Sequence, residues 1–131
     1  MALLRVVLGF MFLYHSYFKL FVPGGFTGTV GFFKAIGIPA AAYSALLVSV
    51  VEFAGGALLI LGLLTKWASV VLIIEMIVGL FKVHLKQGYF IMPPAYGYEF
   101  VLLILASLVV ISTSGAGKLA LGKVFKSRHV K

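Results

Sequence analysis

Six side chains in this sequence could move protons or hold a polar ligand: His15, Lys19, Glu52, Glu75, His84 and Glu99. The three glutamates are all the acidic residues the chain has, and each falls inside an apolar run or at its mouth. An ionised carboxylate at the centre of a bilayer costs on the order of 3 kcal/mol, so each is expected to have a partner or a proton. Imidazole beside carboxylate exchanges protons near neutral pH, which makes proton relay the first chemistry to consider. Two His and two Glu on four helices could also enclose an iron or other divalent centre, but the Glu-x-x-His spacing of di-iron bundles is absent. Haem held between His15 and His84 is a further geometric option, weakened because His84 reads as the shallower of the two. We assign no metal ligands. With no cysteine, thiolate metal sites, iron–sulfur clusters and any other Cys-ligated cofactor are excluded within this chain.

The elements that must carry these groups are apolar. Of 131 residues 63% are hydrophobic and 11% charged, with mean hydropathy +1.18, too few charges to coat a soluble domain. Runs of about the 20 residues needed to span a bilayer lie near Leu3 to Val22, Ala41 to Leu64, Lys66 to Lys86 and Ala95 to Ser114. The first lacks a small-residue cleavage site and is read as a retained helix. Pro23 to Pro39 is too apolar for a free loop and is expected to lie in the interface as a short helix begun near Thr29. Thr65 is placed to cap the third span, and Pro93-Pro94 stops one helix before the next begins.

The predicted fold is an all-α integral membrane protein, an antiparallel four-transmembrane-helix bundle with a short interfacial amphipathic segment after helix 1. Residues 1–117 form the transmembrane domain and 118–131 a basic cytoplasmic tail. An even number of spans puts both termini on one side, together with Arg5, Lys66 and the tail Lys118, Lys123, Lys126, Arg128 and Lys131. That bias predicts a multi-pass protein of the cell membrane with cytoplasmic termini, Arg5 serving as a topology anchor. The net charge of +8 suits an anionic lipid surface, and no nucleic-acid partner is expected, because the basic residues are dispersed among apolar runs.

At 1.5 Å per residue, His15, Lys19, Glu52, His84 and Glu99 all fall in the half of the bilayer away from the termini. His15 and Lys19 share a face, as do Ser49, Glu52 and Gly56, and Gly55-Gly56 let another helix approach the carboxylate. On the third span Glu75, Lys82 and Lys86 lie opposite His84. The His84 face is expected in the core, with Glu75 paired to Lys82 or to a neighbouring chain. The two halves also read alike, His15 then Glu52-Phe53 and His84 then Glu99-Phe100, as two hairpins related by an axis along the membrane normal would.

The ordered set Arg5-Val-Val-Leu-Gly9, His15-Ser-Tyr-Phe-Lys19-Leu-Phe21, Gly31-Phe-Phe33, Gly37-Ile-Pro39, Glu52-Phe-Ala-Gly-Gly56, Leu61-Gly-Leu-Leu-Thr65, Val83-His84, Gly88-Tyr-Phe90, Glu99-Phe100 and Gly115-Ala-Gly117 resembles the DoxX family of small four-helix membrane proteins. Glu75, Pro93-Pro94 and the basic tail depart from that pattern. The resemblance implies a subunit of a quinone-linked oxidoreductase, of the terminal quinol oxidase or thiosulfate:quinone oxidoreductase type. In that reading His15 and His84 contact quinone oxygens, Glu52 and Glu99 accept or relay protons, and Lys19 holds a carboxylate ionised. Its partners would be lipid and other membrane subunits of the complex, or further copies of the chain. Whether the chain is itself catalytic is left open by these residues. The competing class is a non-catalytic accessory or assembly subunit of a larger respiratory complex, and a third, a small transporter or channel, is disfavoured because one four-helix bundle leaves little room for a pathway without oligomerisation.

Overall fold

A computed structural model describes residues 1–122. The long apolar runs, free of internal proline, form helices: α1 (Ala2–Phe21), α2 (Gly25–Ala35), α3 (Ala41–Leu61), α4 (Thr65–Lys82) and α5 (Glu99–Ser114). A 3-10 turn, His84–Gln87, follows α4, and two short antiparallel strands, β1 (Ile91–Met92) and β2 (Ala95–Tyr96), pair Ile91 with Tyr96 and Met92 with Ala95. The described residues are all-α apart from this hairpin. α1 packs on α3, α3 on α4 and α4 on α5, while α2 lies across α1 and α3 at one end.

Several boundaries move from the expected ones. α4 ends at Lys82, because the backbone tightens into the 3-10 turn before Lys86, and α5 starts at Glu99, because Ala95 and Tyr96 are used in the hairpin. Two helices, α1 and α3, are long and apolar enough to cross a membrane, where four had been expected. α2 begins at Gly25, and Thr29 lies within it, its hydroxyl donating to the Gly25 carbonyl at 2.8 Å. Thr65 does not cap α4 but is its first residue, Leu64 taking the cap position in a left-handed conformation. Of the tail, Lys123, Lys126, Arg128, His129 and Lys131 lie outside the described residues.

Small residues set the helix spacing. A Cβ on Gly9 would stand 2.6 Å from the Gly56 carbonyl oxygen, and one on Gly56 would stand 2.6 Å from the Gly9 carbonyl oxygen, so α1 and α3 cross backbone to backbone. Gly55 makes similar room for Leu72 of α4. Below this crossing, toward the end that carries Met1, Leu8, Phe12, Leu59, Leu72, Ile104, Leu108 and Ile111 form one close-packed apolar core. Arg5, only 3% exposed, extends beneath it and donates to the carbonyls of Ile60, at the end of α3, and of Leu119, beyond α5. A guanidinium at a helix C-terminus answers both the unpaired carbonyls and the negative end of the dipole. This is a structural use of Arg5 that its place in the sequence did not reveal. The outward faces are apolar, with Leu3, Phe10, Tyr43, Trp67, Leu103 and Val109 exposed, the opposite of a surface built for water.

Candidate functional site

Above the Gly9–Gly56 crossing the bundle opens. The space lined by α1, α3, α4 and α5, with α2 at one side, is a cavity of about 720 Å³, within the range of small-molecule sites. Its walls are mostly apolar, with Phe32 and Phe33 from α2, Val48 and Val51 from α3, and Phe100 and Ile104 from α5. Its polar groups come from three places: His15 and Lys19 on α1, Glu52 on α3, and Glu75 with Lys82 on α4, the His84 turn closing the rim.

The cluster is organised by an ion pair. Lys19 Nζ donates to Glu52 Oε2 at 2.6 Å, the one salt bridge among the described residues. Side chains lean toward the N-terminus of their own helix, so in an antiparallel pair such as α1 and α3 a residue from each helix can lean toward the other. Glu52 is buried and the lysine side chain is 24% exposed, so the charge-assisted bond forms in a setting where removing either partner would strand the other.

Glu75 is the residue sequence reasoning misplaced. Its carboxyl lies within hydrogen-bonding reach of Glu52 and its Oε2 is buried with no hydrogen-bond partner. It does not pair with Lys82, although both line the cavity. The reason is where α4 stops. With His84 outside the helix in the turn, the helical face to be buried is the one that carries Leu72 and Glu75 toward α3. One signal was available, since Glu52 and Glu75 sit at matched distances from the tight α3–α4 turn.

The expected set of His15, Glu52, His84 and Glu99 does not converge as a whole. His15 lines the cavity with Lys19 and Glu52. His84 is at the rim, its Nδ1 2.7 Å from the Tyr96 carbonyl oxygen, which requires Nδ1 to donate. Glu99 is not a wall of the cavity; its Oε1 accepts the Ile91 N–H at 2.9 Å and ties the hairpin to the start of α5. The two halves therefore do not mirror each other, since one His–Glu set faces the cavity and the other builds the turn above it. Among the described residues, no three His, Asp or Glu side chains converge as metal ligands.

Comparison with known proteins places these residues in context. The family model described as DoxX matches residues 1–85, which carry His15, Lys19, Glu52 and Glu75. An uncharacterized protein of Haemophilus influenzae is 37% identical over 127 residues, 95% of this chain and 90% of its own length. A Bacillus subtilis protein named "Putative oxidoreductase CatD" is 32% identical, covering 96% of this chain and 87% of its own. An uncharacterized membrane protein of Mycobacterium tuberculosis is also 32% identical, over 95% of this chain and 80% of its own. No solved structure matches.

Proposed function

The chain belongs to the DoxX family, and from that membership together with the polar cluster lining its cavity we propose that it is a multi-pass cell-membrane protein that binds a quinone or quinol as a subunit of a membrane oxidoreductase. α4 and α5 complete the bundle of four membrane-crossing helices, and the termini lie on the cytoplasmic side, where Arg5 and Lys66 sit. A relative named as an oxidoreductase supports the reaction class. The single observation that carries the reading is an apolar cavity of about 720 Å³ whose polar groups are concentrated around the Lys19–Glu52 pair.

The residues fit such a ligand. A quinone head group is a flat, mostly apolar ring with two oxygens, and the cavity offers aromatic and aliphatic walls with a compact set of donors and proton carriers. Bound there, it supplies the electron exchange that no side chain of this chain provides. Lys19 holds Glu52 in place, His15 donates a hydrogen bond to a ring oxygen, and Glu52 with Glu75 takes up or gives back a proton. Phe32 and Phe33 exclude water from one side. His84 shapes the rim while its Nδ1 is committed to the hairpin.

The test is binding of a fluorescent or absorbing quinone analogue to the purified protein in lipid nanodiscs. His15→Ala and Glu52→Gln should each weaken it at least tenfold. Equal binding by the variants, together with loss of assembly of a co-purifying oxidase, would overturn the site reading in favour of an accessory subunit.

A further inference from the structure

The cluster does not balance if every group carries its usual charge. Glu52 and Glu75 bring two carboxyls into contact, and Lys19 brings one ammonium to Glu52. His15 from α1, Lys82 from α4 and His84 from the turn also line the cavity, but none forms an ion pair with Glu75 among the described residues; α2 and α5 contribute only apolar side chains to it. Two carboxylates side by side in an apolar bundle repel, and the single Lys19 ammonium offsets only one of the two charges. The buried Glu75 Oε2 has no donor facing it, an arrangement that costs free energy unless the group itself carries the hydrogen.

We propose that Glu75 and Glu52 share one proton, so that the Lys19–Glu52–Glu75 triad is neutral and Glu75 is the group that presents an exchangeable proton to the cavity. The proton turns an acceptor-against-acceptor contact into a carboxyl-to-carboxylate hydrogen bond, with Lys19 stabilising the ionised member. It also accounts for how Glu75 is accommodated in an apolar helix. The shared proton needs no ligand. Its delivery to a ring oxygen, the carboxyl O–H breaking as a new O–H forms on the ligand and leaving both carboxyls ionised beside Lys19, rests on the quinone reading.

Infrared spectroscopy of the full chain in lipid nanodiscs at neutral pH tests this without any ligand, because only three acidic side chains exist. An un-ionised carboxyl gives a carbonyl stretching band that shifts in D2O. The wild type should show one equivalent. Glu75→Gln and Glu52→Gln should each show none, since the remaining carboxylate pairs with Lys19. Lys19→Met should show two, and Glu99→Gln should keep the single band. A wild type without the band, a band surviving in both Glu75→Gln and Glu52→Gln, a band that departs with Glu99→Gln, or one equivalent in Lys19→Met would overturn the proposal. The isosteric Gln variants decide it if Lys19→Met does not fold. A band without quinone-analogue binding keeps the shared proton and rejects the quinone reading, and binding without a band does the reverse.

Discussion

The two ends of the bundle commit a cation to different partners. At the end carrying Met1, Arg5 is committed to the backbone carbonyls of Ile60 and Leu119 beneath a core in which Leu59, Leu108 and Ile111 are fully buried. At the other end, Lys19 is committed to a side chain, Glu52, beside a cavity of about 720 Å³. Carbonyls at a helix end are fixed and cannot change charge, so the first arrangement only holds structure. A carboxylate can gain or lose a proton, so the second can hold structure and do chemistry. What separates the ends is the Gly9–Gly56 crossing, where α1 and α3 meet backbone to backbone, with the close-packed core on one side and the cavity on the other. The bundle is thus a closed base carrying an open cup.

The largest expected effect comes from attacking that crossing. Gly56→Leu places side-chain atoms where the Gly9 carbonyl and the Leu13 backbone already stand, and backbone cannot step aside as a side chain can. Overpacking of a core costs about 1–3 kcal/mol and more where nothing yields. The variant should lose most of its folded yield in detergent and the thermal transition seen by circular dichroism. A wild-type melting profile would mean the helices are not clamped there.

The same substitution at the two ends measures the contrast directly. Leu108→Ala removes a side chain with no exposed surface and should cost about 2–3 kcal/mol, mostly lost packing contacts. Leu47→Ala enlarges a cavity that already exists and trims a side chain 65% exposed, so it should cost below about 1 kcal/mol. Unfolding titrations in mixed micelles report both. Equal losses would dissolve the distinction between packed base and open cup.

How far this division could be read from the sequence depends on the kind of signal. The helices and the nearness of Lys19 to Glu52 follow from apolar run length and from Gly55-Gly56, which are local features. Depth along the bilayer also brought His15, Lys19 and Glu52 to one level. What was not legible was rotation. Glu75 and His84 lie on opposite faces of an ideal helix, and which faces inward was decided by where α4 ends, a tertiary outcome of the hairpin above it. The hairpin was hidden because only two residues per strand pair, and its second strand, Ala95 and Tyr96, was absorbed into the fourth apolar run. Arg5 was hidden because a basic residue near a terminus reads first as a topology signal, while its acceptors lie 55 and 114 residues away.

The smallest expected effect sharpens the comparison at the rim, where Glu99 is bonded to the Ile91 N–H and His84 to the Tyr96 carbonyl. Both are side chain-to-backbone bonds at accessible positions, each worth about 0.5–1.5 kcal/mol of local order. Glu99→Ala should therefore raise amide exchange at Ile91 and its strand partner Tyr96 several-fold, leave the melting transition nearly in place, and change quinone-analogue affinity less than twofold. Glu52→Gln should do the reverse, with affinity falling at least tenfold and hairpin exchange unchanged. The crossed pattern matters more than either number, because the two glutamates differ in what they touch: one a backbone amide, the other a lysine and a second carboxyl. If Glu99→Ala abolished binding as fully as Glu52→Gln, the rim would be part of the cup's chemistry, and the line between scaffold and site would have to be redrawn to include the hairpin.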